Sequence, residues 1–324
     1  MNNAGKSDSK TAVRRLRIDD DSAGQRVDNY LTRILKGVPK SHIYRLLRRG
    51  EVRVNKGRVR AEYRLRAGDE VRIPPVRTAQ REALPVSAER VAWLAGTVLH
   101  EDDRLLVLNK PAGIAVHGGS GVRLGVIEAL RAWRPQAPFL ELVHRLDRDT
   151  SGLLLVAKRR SALRAVQEAL RQGRATKRYL ALLHGRLPRR VDVDAPLRKN
   201  VLRSGERVVR VDPTGREARS RFSPREHLAV EGRPLTLAGI RIYTGRTHQI
   251  RVHAAHLGHP LVGDEKYGDA EADRPLRARG LKRLFLHAES LALPALPWAP
   301  QGLEFHAPLA PDLNELLLKL RINE

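Results

Sequence analysis

His144-Arg145-Leu146-Asp147-Arg148-Asp149-Thr150-Ser151-Gly152 runs straight into Leu153-Leu154-Leu155-Val156, so a charged stretch abuts four aliphatic side chains. A short apolar run bounded by turn residues reads as a buried strand. The charged stretch, lying between Phe139–Val143 and that strand, then sits at the mouth of a sheet. Asp147 is flanked by Arg145 and Arg148, with Asp149 beyond. Nearby cations favour an ionised carboxylate, as a nucleophile at neutral pH requires. The same residues also suit a salt-bridged turn in which Asp149, Thr150 or Ser151 bonds its own backbone. Residue types alone leave both readings open.

A second constellation, Thr244-Gly245-Arg246-Thr247-His248-Gln249-Ile250-Arg251-Val252-His253, follows a strand ending at Ile242. The pattern predicts a helix from His248 capped by Thr247, with Ile250, Ala254 and Leu257 inward and Gly258 and Pro260 as its stop. A helix N-terminus beside an arginine suits an anion, so Arg246 reads as a carboxylate or phosphate holder, or as a structural bridge between two loops. His248, His253, His256 and His259 cluster here, but no carboxylate falls between His248 and Pro260, and no metal is assigned. Gly118-Gly119-Ser120-Gly121 lacks the spacing of a nucleophile elbow or a P-loop.

Outward from these motifs, strands are expected at Leu105–Leu108, Tyr179–Leu183, Val208–Val211, Arg219–Phe222, Leu235–Ile242 and Arg283–Leu286. Helices carry Val126, Ile127 and Leu130, and, after a Ser161 cap, Leu163, Val166 and Leu170. Many strands with few helices between them predict an α+β domain with a mixed, mostly antiparallel sheet. The stretch Leu187–Arg219 suggests a strand but no functional residues.

Ahead of this domain, Val27, Tyr30, Leu31, Ile34 and Leu35 mark one helix face. Ser41 is expected to cap a second helix that buries Ile43, Leu46 and Leu47 and ends at Gly50. Val52 and Val54 then lead into the turn Asn55-Lys56-Gly57. Residues 22–75 hold 14 Lys and Arg against 5 Asp and Glu, so this small module is strongly cationic. Lys40, Ser41, Arg45, Arg48, Arg49, Arg53 and Lys56 are its candidate contacts to a nucleic-acid backbone. The organisation expected is a loose tail over 1–21, the module over 22–75, a linker over 76–90 and a second domain over 91–324.

Composition narrows the function. At 324 residues about two domains are expected. The net charge of +25 calls for a polyanionic partner, and aromatics at 4% point to phosphate contacts over base stacking. No cysteine excludes thiolate nucleophiles and Cys-ligated metal. With neither an apolar leader in the first ten residues nor a run near the roughly 20 needed to span a bilayer, a cytoplasmic protein without membrane contact is expected.

Four ordered motifs carry a resemblance: Leu108–Gly119 (LNKPAGIAVHGG), His144–Gly152 (HRLDRDTSG), Lys177–Gly185 (KRYLALLHG) and Thr244–Gly268 (TGRTHQIRVHAAHLGHPLVGDEKYG). Together they resemble the RluA-type pseudouridine synthases, and Ser41–Gly57 resembles the S4 RNA-binding module. The resemblance implies isomerisation of uridine to pseudouridine without a cofactor, on several uridines of 23S rRNA or of a large-subunit assembly intermediate. It implies Asp147 as catalytic aspartate, Tyr179 as stacking residue and base, and Arg246 as the arginine paired with that aspartate. Ile250 then lines the uracil pocket and Arg145 fills the space left by the flipped nucleotide, with His144 and Leu146 beside them. A noncatalytic ribosome-assembly factor and a histidine-dependent metal hydrolase are the rival readings. With no coiled coil in view, a monomer is expected.

Overall fold

The computed structural model describes residues 13–35, 38–76, 87–118, 124–201 and 207–322. The chain divides into two compact units, Met1–Val86 and Ser87–Glu324. The first contains β1 (Arg14–Arg17), α1 (Val27–Ile34), α2 (Lys40–Arg48), β2 (Arg53–Val54) and β3 (Glu70–Ile73). Its core is the apolar stripe of the two helices, Val27, Tyr30, Leu31, Ile43, Leu46 and Leu47, closed by Val52, Val71 and Ile73. β3 is the central strand, antiparallel to β1 and β2. Asn55 and Lys56 take φ of 49° and 67°, and Val54 and Gly57 exchange backbone bonds of 3.0 and 2.9 Å around them. That is the geometry a two-residue hairpin turn needs to follow the strand twist.

Two expectations change here. The tail over 1–21 is too long, because Arg14–Arg17 pairs with β3 and Ile18 is buried. Four arginine and leucine residues show little amphipathic contrast, and the strand is held by its partner instead. Residues 1–12 lie outside the described residues, as do 77–86 of the expected linker and Gly37. Ser41 lies in the first turn of α2, whose cap is Pro39.

The second unit opens with 3-10 turns over Ala88–Thr97. There follow β4 (Val98–Glu101), β5 (Leu105–Lys110), α3 (Val126–Trp133), β6 (Glu141–Leu142), β7 (Ser151–Ala157) and α4 (Arg160–Arg171). Next come β8 (Thr176–His184), β9 (Val191–Asp194), the hairpin β10 (Leu197–Val201) and β11 (Arg207–Val211), β12 (Arg219–Val230) and β13 (Arg233–Ile242). The chain ends with α5 (Gln249–His256), α6 (Ala270–Ala278), β14 (Leu286–Leu293), β15 (Leu303–His306) and α7 (Pro311–Ile322). One sheet runs β4-β5-β7-β14-β8-β13-β12-β9, with β6 added to β7 and β15 to β14. Every pairing in it is antiparallel except β7 with β14, so the sheet is mixed and mostly antiparallel. The apolar runs of β5 and β7 are buried on both faces, which is why neither alternates in sequence. α6 and α7 cover the Leu182, Leu228, Leu235 and Leu237 side through Leu276, Leu313, Leu316 and Leu317.

The strand expected at Arg283–Leu286 begins only at Leu286. In α4 the core is filled by Ala162, Val166 and Ala169, while Leu163 and Leu170 are half-buried. α4 begins at Arg160, so Ser161 is inside the helix and does not cap it.

The parallel pairing that joins the two halves of the sheet spans only two residue pairs, His287 with Ser151 and Ala288 with Gly152. Gly152 has φ 107°, and a Cβ there would stand 2.6 Å from the Ala288 nitrogen. Gly152→Ala is expected to lower stability by roughly 2–5 kcal/mol, from backbone strain and overpacking together. Gly232→Ala, at φ 73° with nothing within 4 Å, is expected to cost only about 1 kcal/mol. Urea unfolding of both variants measures the difference, and equal costs would refute the tight seam.

Candidate active site

The stretch between β6 and β7 is a loop tied down on both sides. Val143 donates to the Leu155 carbonyl at 3.0 Å, and the Leu155 amide donates to His144 Nε2 at 3.2 Å. Burial, helped by the neighbouring Lys177, pulls the His144 imidazole down to about 4. It is therefore neutral at physiological pH and free to accept that bond. Across the loop the Arg148 carbonyl receives Gly113 N at 2.9 Å and Lys110 Nζ at 3.0 Å. Lys110, only 1% exposed, also donates to the carbonyls of Pro111 at 2.7 Å and Ile114 at 2.9 Å. One buried ammonium thus fastens the 111–114 turn to the aspartate loop.

The two open readings of that loop separate by residue. Asp149 makes the salt-bridged turn, taking Arg148 through bonds of 2.9 and 3.2 Å. Asp147 accepts Thr150 N at its carbonyl, at 3.2 Å, while its carboxylate has no hydrogen bond or ion pair among the described residues. It lines a cavity of about 340 Å³ that also brings together Arg145, Leu146, Tyr179, Arg246 and Ile250. His144 joins them, so the expected catalytic and substrate residues meet around one space. Its apolar walls include Ile242, Leu286 and Leu170, and this explains why Leu170 is not in the core.

Tyr179 is buried, and that burial, with the Asp147 charge, raises its phenol above the ordinary value. Tyr179 is a neutral phenol at neutral pH. Lys177, two residues earlier on the same strand face, also lines the cavity, and burial lowers its ammonium.

The loop opposite is organised by Gln249, which is 3% exposed. Its Oε1 accepts Thr244 Oγ1 at 2.7 Å and Arg246 N at 3.0 Å. Its Nε2 donates to the Arg219 carbonyl and Ser220 Oγ, both at 2.9 Å. α5 starts at Gln249 from a left-handed His248, φ 52°, so Thr247 is not its cap. Arg246 is not paired with Asp147 in this structure: its Nε donates to the Glu217 carbonyl at 2.8 Å. Its backbone N–H, on Gln249 Oε1, and its guanidinium Nε, on the Glu217 carbonyl, are both engaged with partners other than Asp147.

Arg251 received no role from its position in the motif, yet it lines the cavity and is 8% exposed. Asp264 grips it at 2.7 and 2.6 Å, and although burial opposes its charge, Asp264 and Asp147 hold the guanidinium in its charged form. Lys110, Gln249 and Arg251 were missed for a common reason. Each acts through a partner distant in sequence, and residue spacing does not show such partners.

The histidine cluster is dispersed among other tasks. His253 uses both ring nitrogens, on Ser220 Oγ and the Ala195 carbonyl, each at 3.0 Å. His248 Nδ1 meets the Tyr267 hydroxyl at 2.8 Å, and His259 Nδ1 meets the His184 carbonyl at 2.9 Å. In the other unit Lys40, Ser41, Arg45, Arg48, Arg49, Arg53 and Lys56 are all exposed, and Ser41, Arg45, Arg48 and Arg49 follow one side of α2.

The second unit, a ten-stranded mixed sheet with a small β10–β11 hairpin, thus brings an aspartate loop, a tyrosine strand and an arginine loop around one cavity, as an enzyme active site would, and a cationic helical module precedes it in the chain. Residues 104–256 match the RNA pseudouridylate synthase family and residues 25–71 match the S4 domain. Ribosomal large subunit pseudouridine synthase C of Escherichia coli K12 is 55% identical over 315 residues, 96% of this chain and 97% of that protein. The protein of the same name from Pasteurella multocida is 54% identical over 313 residues, 96% of this chain and 94% of that one. The structure of human RNA pseudouridylate synthase domain containing 4 superposes with a TM-score of 0.57 at 28% identity, covering 71% of this chain and 95% of that one. The chain belongs to the RNA pseudouridylate synthase family. It is an RNA pseudouridine synthase with an S4 domain at its N-terminal side.

Lys110→Met is expected to lose about 2–4 kcal/mol, because the Pro111 and Ile114 carbonyls lose the ammonium's bonds and the Arg148 carbonyl keeps only Gly113 N. The sign of its pH dependence follows from burial, which takes the Lys110 ammonium down to about 7 despite the opposing charge of Asp149. In the unfolded chain the same group titrates near 10.4, so between roughly pH 7 and 10 the unfolded state binds more protons. The cost of burying the charge is present in full below that window and is relieved as pH rises through it. Denaturant titrations at pH 7 and 9.5 should show the margin of wild type over Lys110→Met widening. A constant margin would refute the assignment.

Proposed function

We propose that this enzyme converts specific uridines of 23S rRNA, free or in a large-subunit assembly intermediate, to pseudouridine, with Asp147 as its central carboxylate. The observation that carries the reading is the Asp147 carboxylate, unpaired among the described residues, which shares a cavity between two anchored loops with Tyr179 and Ile250. The name shared by the bacterial relatives supports the choice of large-subunit rRNA. Among the described residues no helix is long and apolar enough to cross a membrane, and a monomer acting in the cytoplasm fits this reading.

The isomerisation breaks the C1′–N1 bond, forms C1′–C5, releases the proton on C5 and returns a proton to N1. Atoms and electrons balance within the substrate, so the reaction calls for no external oxidant, reductant or group donor. The chain must detach the base, let it turn and hold it while it rejoins. Flipping the nucleotide out costs a few kcal/mol, and phosphate contacts offset that cost. Arg145, exposed beside the aspartate, takes the place of the flipped nucleotide. Ile250 and Leu146, both 5% exposed, bound the uracil and keep water from the detached base.

Asp147 attacks the sugar or the uracil ring, or assists loss of a sugar proton. In each case a carboxylate with no competing bond is available without first breaking an ion pair. Tyr179 packs against the base as a phenol. With its proton held tightly, it accepts the C5 proton only while passing its own onward, directly or through a water.

The test is tritium release from [5-³H]uridine-labelled 23S rRNA transcript, with pseudouridine mapped on the product. Wild type is expected to release tritium at discrete sites, and Asp147→Asn to be slower by at least roughly a thousandfold while binding RNA as wild type does. Full turnover by Asp147→Asn, or RNA binding without modification by wild type, would overturn the reading.

A further inference from the structure

The stretch around β10 and β11, to which residue patterns assign no function, forms one wall of a second depression. A cavity of about 540 Å³ lies between this hairpin, the turn at Thr214–Arg216 and the loop at Gly245–Thr247. Arg145, Arg198, Lys199, Arg216 and Arg246 line it, and no carboxylate does. Arg145 and Arg246 line the catalytic cavity as well, so the two spaces meet at those side chains.

The groove is shaped by specific bonds. Leu197 and Arg216 exchange backbone hydrogen bonds of 2.8 and 2.9 Å, which lay the turn against the hairpin. Gly215 permits that approach, since a Cβ there would stand 2.7 Å from the Leu197 oxygen. Arg198 Nη1 donates to Thr214 Oγ1 at 3.1 Å, and the Glu217 carbonyl holds Arg246 at its Nε. Arg246 makes no other side-chain bond among the described residues.

Arg198 lies 3.7 Å from the Asp212 carboxylate beside the groove, but Arg145, Arg216 and Arg246 have no carboxylate partner among the described residues; they repel one another, and a polyanion relieves that repulsion. A strand of RNA is the polyanion that the adjoining cavity brings to this place. We propose that the groove binds the phosphates of the substrate strand next to the flipped uridine, with Arg198 and Arg216 as anchors and Arg246 shared between groove and catalytic cavity. The proposal rests on the reading of the Asp147 cavity as the uridine site.

The experiment measures binding of an rRNA fragment from 50 to 300 mM salt, and tritium release under steady state, for the full-length protein. Arg198→Ala with Arg216→Ala is expected to weaken binding roughly tenfold and to reduce the slope of log K against log salt by about 1.4, two single-strand phosphate contacts at about 0.7 each. KM should rise far more than kcat falls. Lysine at both positions should restore most of the slope, and Arg216→Gln alone should show half the change, which covers the case of an unstable double variant. Arg274→Ala on α6 removes the same charge elsewhere and should leave the slope unaltered. An unchanged slope, an equal effect from Arg274→Ala, or a fall in kcat at constant KM would each overturn the groove. Absence of tritium release by wild type on every RNA would instead overturn the underlying reading of the Asp147 cavity.

Discussion

The active site depends on a join two residues long. β7 and β14 run parallel and meet only through Ser151–His287 and Gly152–Ala288. In the next register Ala288 faces Tyr179, and Tyr179 faces Ile240, so one line across the sheet runs from the end of the aspartate loop to the tyrosine. Side chains reinforce the same place. Ser151 Oγ meets His287 Nδ1 at 2.9 Å and receives Arg283 at 3.2 Å, while Arg283 is clamped by Asp312 at 2.6 and 3.0 Å. A glycine at 152 is the condition for all of it, because any side chain there would push the two half-sheets apart and separate the two reacting walls of the cavity.

The electrostatics follow a pattern of prior commitment. Arg148 is held by Asp149, Arg251 by Asp264, Arg246 by the Glu217 carbonyl and Lys110 by three carbonyls. These four cations near Asp147 have partners of their own, so the carboxylate lies in a positive field without being spent in a bond with any of them. Such an arrangement is set before substrate arrives and needs no reorganisation during the reaction.

Much of this was legible in the residues. The helix faces of the N-terminal unit, the buried strands β5 and β7, the mixed sheet and the meeting of the three motifs around one cavity all follow from periodicity, turn chemistry and the resemblance. What escaped the sequence was of two kinds. Helix starts were misplaced by a residue or two at Ser41, Ser161 and Thr247, because hydroxyl residues there lie beside the true caps and local chemistry does not choose between neighbours. The supporting contacts of Lys110, Gln249 and Arg251 were invisible, because their partners come from other segments and only the fold brings them near. Arg14–Arg17 looks like tail in the sequence because a strand of mostly charged residues carries no signal until β3 is beside it.

The length of chain between the two sides of the join has a consequence for synthesis. Ser151 and His287 are 136 residues apart, whereas the cationic N-terminal unit is assembled from contacts within its own short segment. Domains emerge and fold from the N-terminus as the chain is made. The growing polypeptide therefore acquires its grip on RNA well before it acquires chemistry. Until residue 288 has emerged, the aspartate loop and the tyrosine strand belong to separate half-sheets, so the cavity between them is among the last features of the chain to be completed.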